Sequence, residues 1–277
     1  METLIGLGQA GCSIVSLLQK HSVYNDFYID ADIKGPQHRS LTKFEKTEDY
    51  EQNVPDLSKF FKRVKKEVHF FMAGSGKISG ASLAILQQIK NKSLNVIYLK
   101  PDLDAVGAIA SKRERVAFNV FQQFARSGLF ADLMLIDNTA LETVLGDVPI
   151  IGYYDRLNEL LSSTFHMINV LKNSVPVVGS PDERAEISRI STIGLLDTET
   201  GEEQLFYPMN RITEKTFFFA FNEERLKSDG TLNKKIKEIM KKKFDSGVKI
   251  SYNVYTTEYE IDYGYCIART SIIQGEQ

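Results

Sequence analysis

Apolar positions in the first half of the chain fall into short runs separated by glycine-rich or polar breaks. Residues 3–7 (TLIGL) form one such run, and Ile14, Val15, Leu17 and Leu18 follow at helical spacing. This pattern predicts a buried strand, a tight turn and a helix. Residues 26–31 (DFYIDA) predict a second strand, and 39–66 are polar enough to predict loops and one short helix. Residues 68–72 (VHFFM) read as a strand, followed by a second glycine-rich turn and a helix over 82–90 with Leu83, Leu86 and Ile89 on one face. A strand at 95–99, a helix at 113–126 and a strand at 132–136 complete the series. Strands alternating with helices define an α/β domain with a mostly parallel sheet.

A long helix is expected over 153–171. Leu157, Leu160, Leu161, Thr164, Phe165, Ile168 and Leu171 recur at helical spacing and cover more than one face, the mark of a helix buried from several sides. Beyond residue 175 the texture changes. A strand is expected at 216–221 (TFFFAF), a Lys-rich helix at 232–244, and two antiparallel strands at 248–255 and 263–271. The resulting division is a nucleotide-binding domain (1–152), a core helix (153–174) and a smaller α+β domain (175–277).

Composition narrows the class. With 43% hydrophobic and 25% charged residues, the chain fits a water-soluble globular protein. A formal charge of −2 argues against nucleic-acid binding as the main activity, because phosphate backbones demand an excess of Lys and Arg. Cys12 and Cys266 make no disulfide framework, which points to a reducing compartment. The N-terminal run is interrupted by Gln9 too early for a signal peptide or membrane span, so a cytoplasmic location is expected. The Lys-rich stretch 234–243 reads as a solvated helix face or a contact with a neighbouring subunit.

The candidate chemistry lies in two glycine turns. The first runs Gly6-Leu7-Gly8-Gln9-Ala10-Gly11 before Cys12. Glycine lets backbone approach a phosphate, and the helix that follows offers unpaired N–H groups and a positive dipole end. The spacing also fits a dinucleotide fingerprint, with Asp30 or Asp32 about twenty residues on, where a ribose-binding acid is expected. The second turn, residues 73–82, contains Gly74, Ser75, Gly76, Lys77, Ile78, Ser79 and Gly80. It is not a P-loop, since no Ser or Thr follows Lys77. Two glycine-rich anion sites on neighbouring strands suit a di- or triphosphate held from two sides, whereas a nicotinamide dinucleotide needs only one. An NAD-dependent oxidoreductase is the rival reading, but His21, His38, His69 and His166 fall in no catalytic motif.

At these residues the sequence resembles the tubulin/FtsZ family. Gly8-Gln9-Ala10-Gly11 followed by Ile14 is similar to the first phosphate loop of tubulins, and residues 74–81 to the family's glycine signature. Asp137-Asn138-Thr139-Ala140-Leu141 resembles the tubulin D-N-x-A-L stretch, and Tyr154-Asp155-Arg156-Leu157-Asn158 the start of its core helix. The four motifs occur in the family's order over residues 1–175. The resemblance implies GTP or GDP held by Gly8, Gln9, Ala10, Gly11, Cys12 and residues 74–80. It places Gln9 near the phosphates and Mg²⁺, and implies head-to-tail self-assembly into filaments with slow GTP hydrolysis. The side chains agree: Asn138 and Asn158 each donate and accept, which suits a guanine edge, and Tyr154 can stack on the base.

Three stretches depart from the family, and in the first Lys77 and Ile78 replace the Thr-Gly of the glycine signature. Residues 46–55 (KTEDYEQNVP) stand where a glycine-containing third-phosphate loop is expected and contain no glycine. The acidic loop that completes hydrolysis across a subunit contact is replaced by residues 179–186 (GSPDERAE). There Glu183 and Glu186, three apart, face one side of a starting helix and are the candidate catalytic acids; Asp182 with Glu186 is the competing pair. Ser-Pro-Asp-Glu is also an ordinary helix start. These departures keep open a non-polymerising nucleotide-binding relative.

Overall fold

The structure is a computed structural model that describes residues 2–179, 184–244 and 247–275. It divides into two compact units, Met1–Ser162 and Ser163–Gln277. The first contains β1 (Glu2–Leu7), α1 (Gly8–Leu18), β2 (Tyr24–Ala31), β3 (His38–Leu41), α2 (Thr47–Gln52), β4 (Glu67–Ala73), α3 (Ser82–Gln88), β5 (Ser93–Lys100), α4 (Ala108–Arg126), β6 (Asp132–Asp137) and α5 (Asn138–Leu145). Helix α6 (Tyr153–Lys172) runs across the division. The second unit holds β7 (Ile190–Leu196), β8 (Glu203–Leu205), β9 (Glu214–Asn222), α7 (Glu223–Ser228), α8 (Leu232–Lys243), β10 (Lys249–Thr257) and β11 (Tyr263–Thr270).

In the first unit six parallel strands lie in the order β3-β2-β1-β4-β5-β6. The chain reverses direction across the sheet between β1 and β4, and in such sheets ligands collect at the carboxyl ends of the strands at that switch point. Both glycine turns leave from there. Leu4 and Ile5 of β1 and Phe70, Phe71 and Met72 of β4 are fully buried, as expected of parallel strands covered on both faces. The expected α/β class is therefore present.

The second unit is mixed. Its strands run β10-β9-β11-β7, with β8 beside β7. The two C-terminal strands expected as an antiparallel pair do not bond to each other. β9 lies between them, parallel to β10 and antiparallel to β11. The reason is the α7–α8 connection, which carries the chain over the sheet and returns it alongside β9 in the same direction, as a crossover must. Phe217, Phe219 and Phe221 pack with Leu232, Ile236, Ile239 and Met240 of α8 in one core cluster. Phe218 points the other way, is equally buried, and stacks on Tyr255 with ring centroids 6.3 Å apart. The lysines of α8 occupy its outer side: Lys234 is 83% exposed, while Lys235 pairs with Glu199 and Lys243 with Glu203.

Strand β7 had no counterpart in the sequence reading because Ser191 and Thr192 break its apolar run, yet both are fully buried. Polar β3 was missed for the same reason. Helix α2 fills the stretch where a third-phosphate loop was expected. Its Tyr50 is buried and meets Phe44 edge-on at 5.2 Å, so an aromatic anchor replaces glycine mobility. The helix start expected around residue 183 does not continue into the described residues. Ala185–Ser188 form a turn closed by the Ser188 N–H donating to the Ala185 carbonyl at 3.0 Å. Buried Glu214 fixes it, accepting from the Ser188 hydroxyl at 2.8 Å and the Ala185 N–H at 3.2 Å.

Candidate nucleotide site

The first turn is shaped by backbone. Gly8 opens α1 with φ +70°, a conformation that L side chains rarely adopt. A side chain at Gly11 would collide with the carbonyl of Phe71 on β4, so the helix approaches the sheet more closely than any other residue allows. The residue before the helix, Leu7, supplies no side-chain cap, so the first-turn N–H groups point outward uncapped by it. The Cys12 thiol faces inward, donating weakly to the Gly6 carbonyl at 3.4 Å. Burial, with help from Asp30, pushes its pKa up to about 12. It is a neutral packing group at physiological pH.

The second turn is shaped by side chains at Gly74–Lys77 and by a backbone contact at Gly80, which lies against the Thr47 carbonyl. Gly74 lies directly against the Tyr98 hydroxyl, which reaches Glu114 of α4 at 3.4 Å. Arg113, next to it, donates to the Ser75 carbonyl at 2.6 Å. The Ser79 hydroxyl is buried and turned onto the turn's own carbonyls, Gly76 at 2.7 Å and Gly74 at 3.2 Å. It therefore braces the loop. The Lys77 ammonium meets the Glu45 carboxylate at 2.6 Å, and this contact holds the Glu45 carboxyl below the usual range. Glu45 precedes α2, so the third-phosphate region and the glycine turn touch through this ion pair.

Two hollows flank the start of α1. One, of about 580 Å³, is lined by Gln9, Asp102, Asn138, Glu142, Tyr153 and Tyr154 among others. The second, of about 610 Å³, is lined by Gln9, Cys12, Ser16, Gln19, Asp30 and Asn158 among others. Gln9 and Asp155 border both. Asn138 and Tyr154 thus fall on one side of Gln9, and Asn158 on the other. Each hollow is in the size range of small-molecule sites. Tyr153 is fixed by donating its hydroxyl to Glu142 at 2.9 Å. Asp137 caps α5 by accepting from the Thr139 N–H at 2.8 Å and so orients Asn138. Burial raises the Asp30 carboxyl above its ordinary value, and Asp32 adds to the rise against the pull of the Ala31 N–H.

The charges separate by region. The cation Lys77 lies in the second turn and Arg113 of α4 contacts it, whereas the hollows are bordered by Asp30, Asp102, Glu142, Asp155 and Glu159. Carboxylates suit the N–H donors of a base edge, and the turns suit phosphate. Gln9, exposed at the helix start and bordering both hollows, offers an amide oxygen to a hard cation. A larger apolar cavity of about 780 Å³ lies between α2 and α4. Ser79 and Gly80 reach it, but Ile109 and Val116 on its wall are 77% and 65% exposed. Its wall is mostly apolar, with Glu45, Glu48, Lys112 and Arg113 also bordering it.

Of the candidate acids, Glu186 is exposed in the turn that Glu214 anchors; Asp182 and Glu183 lie outside the described residues. Sequence reasoning missed Arg113, Glu45, Tyr98 and Glu214. Each acts from a distant element, and none belongs to a local motif.

No protein-family model matches the chain, and no curated protein does. Solved structures do. A GTPγS-form protofilament of TubZ from Bacillus thuringiensis serovar israelensis superposes with TM-score 0.75 at 14% identity, covering 97% of this chain and 86% of that one. An empty FtsZ dimer from M. jannaschii gives 0.68 at 12%, covering 97% and 87%. CetZ from Methanosaeta thermophila gives 0.68 at 13%, covering 98% and 86%. The strand order of the first unit is shared by dinucleotide-binding folds. The likeness over nearly the whole chain settles the fold more narrowly: it is that of the tubulin/FtsZ proteins. TubZ, FtsZ and CetZ are what this chain is similar to.

Proposed function

We propose that this chain binds GTP and GDP, hydrolyses GTP slowly and assembles head-to-tail into filaments. The observation that carries the reading is the convergence of two glycine turns at the β1/β4 switch point, flanked by two acid-bordered hollows. In this reading the phosphates lie against the uncapped start of α1, residues Gly8–Cys12, and against residues 74–80 with Lys77. The guanine edge is read by Asn158 in the second hollow, with Asn138 and Tyr154 closing the site from the first. Mg²⁺ would sit by Gln9 and neutralise phosphate charge.

The candidate acids are Glu186, Glu183 and Asp182, supplied to the nucleotide of a neighbouring subunit. A heterologous contact of this kind generates an open filament when its rotation does not close. Support for self-assembly comes from the neighbours, among them TubZ structures described as protofilaments and as a two-stranded filament. No helix among the described residues is long and apolar enough to cross a membrane.

The test is light scattering with parallel phosphate release, at rising protein concentration with GTP and Mg²⁺. Scattering and release that switch on at one critical concentration support acids acting across a subunit contact. Absence of scattering with GTP and with a slowly hydrolysed analogue overturns the filament reading. It would favour a non-polymerising relative, which α2 in place of a glycine loop already suggests. Asp30 and His38 both border the second hollow, so titration with NAD beside GTP tests the oxidoreductase alternative directly.

A further inference from the structure

The opposite end of the same two strands carries a group of side chains that the nucleotide reading does not use. Strands β1 and β4 pair in parallel with Thr3 opposite Val68 and Leu4 opposite His69. One step back, that register sets Glu2 beside Glu67. Residues two apart on a strand share a face, so Glu67 and His69 project on the same side of the sheet. Their ligand atoms and that of Glu2 all lie within 4.8 Å of one another. From the geometry we infer that Glu2, Glu67 and His69 form a binding site for a divalent transition-metal cation, with zinc as the best fit, clamping the N-terminal ends of β1 and β4.

Three observations support the assignment. The first is spacing. A tetrahedral zinc with bonds of about 2.0–2.1 Å holds its ligand atoms roughly 3.3 Å apart. His69 Nε2 and Glu2 Oε2 are 3.2 Å apart, and the Glu67 carboxylate lies within 4.8 Å of both. The second is charge. Two carboxylates opposite each other on neighbouring strands repel, and a shared cation reverses the sign of that interaction. The third is the setting. The His69 and Glu2 side chains are only 11% and 16% exposed, which limits competition from water, while Glu67 is exposed and leaves an open side for a fourth ligand. Asn95 on β5 donates to Glu67 Oε1 at 3.4 Å, an outer contact of the kind that orients ligating carboxylates.

An imidazole with two carboxylates suits zinc and its first-row neighbours better than magnesium, which prefers oxygen alone and keeps its waters. The site is also separate from Gln9 and the phosphate turns. Strand β1 spans six residues, about 16–17 Å from its first to its last. A clamp here would tie together the two strands that flank the switch point without touching the nucleotide.

The experiment uses the full chain, free of any N-terminal tag and stripped with chelator, in the absence of nucleotide. Co²⁺ is titrated while its visible d–d bands are followed, and Zn²⁺ is then added in competition. One equivalent of Co²⁺ with bands of a four- or five-coordinate ion, displaced by Zn²⁺ and accompanied by a rise in Tm, is the expected result. Glu67→Gln, at an exposed position that leaves folding intact, should weaken binding tenfold or more, and His69→Gln should abolish it. Absence of a one-to-one complex overturns the assignment. So does binding unchanged in Glu67→Gln, or binding lost instead in Gln9→Ala. Thiolate-to-cobalt charge transfer would place the ion on Cys12 or Cys266 and overturn it equally.

Discussion

The two glycine turns look alike in sequence and are held by different physics. The first is fixed by backbone against backbone, with Gly11 pressed on the Phe71 carbonyl and Gly8 in a left-handed conformation. The second has one such backbone contact, Gly80 against the Thr47 carbonyl, but its glycine stretch before that is held by side chains from three other elements: Tyr98 on β5, Arg113 on α4 and Glu45 ahead of α2. A backbone contact has no replaceable partner, whereas a side-chain contact can be removed, restored or competed away. The first turn therefore belongs to the fold, and the stretch from Gly74 to Lys77 in the second is where ligand and fold can exchange partners.

Four substitutions break or sharpen that contrast. Gly11→Ala should be the most damaging. Its Cβ meets a carbonyl that cannot rotate away, and a loss of about 3 kcal/mol or failure to fold is expected in urea unfolding. Gly74→Ala should cost about 1–3 kcal/mol, because the Tyr98 ring must shift within a packed interior. Unlike Gly11→Ala, it should be partly rescued by Tyr98→Phe, which removes the colliding hydroxyl; a double-mutant cycle showing strict additivity would contradict the proposed contact.

Arg113→Ala should lower stability by about 1 kcal/mol, the worth of one hydrogen bond. It should also weaken GTP binding several-fold in calorimetric titration if the loop must be held open for phosphate. Glu45→Gln should be mildest, leaving the thermal midpoint in place while raising GTP affinity, because Lys77 is released from an exposed ion pair. The sign with pH follows: the depressed Glu45 carboxyl keeps the pair present above the ordinary carboxylate range. The pair is lost only as pH falls through the lowered value. Wild-type affinity should then approach that of Glu45→Gln in acid, and a constant difference across that range would refute the competition.

Much of the first unit was legible in sequence because local order reports it. Short apolar runs, each ending in glycine or a polar turn, mark strands buried on both faces, and the runs at 68–72 and 132–136 needed little extension to become β4 and β6. Strand β7 was not legible, since Ser191 and Thr192 are buried through partners that only the folded sheet supplies. The parallel placement of β10 beside β9 was equally hidden, because alternation along a strand says which face is buried and not which neighbour it takes. At the candidate site, Gln9, Asn138, Tyr154 and Asn158 came from motifs and do border the hollows. The helix expected to align Glu183 with Glu186 rested on a helix-start pattern alone. The described end of that segment is instead set by Glu214, about thirty residues away.

Strand β11 lies between β7 and β9, although it follows both in the chain. On a ribosome, β7 and β9 emerge with their inner edges unsatisfied, and the strand that joins them is still inside the exit tunnel. Ile190 must wait for Thr270, some eighty residues later, before its ladder can form. The second unit is therefore obliged to fold late and all at once, while the parallel sheet of the first, already outside the tunnel, can assemble ahead of it as synthesis continues. During that interval the phenylalanine-rich β9 is the segment most exposed to capture by chaperones or by other nascent copies, and slow codons or a stall just before residue 263 would lengthen its risk.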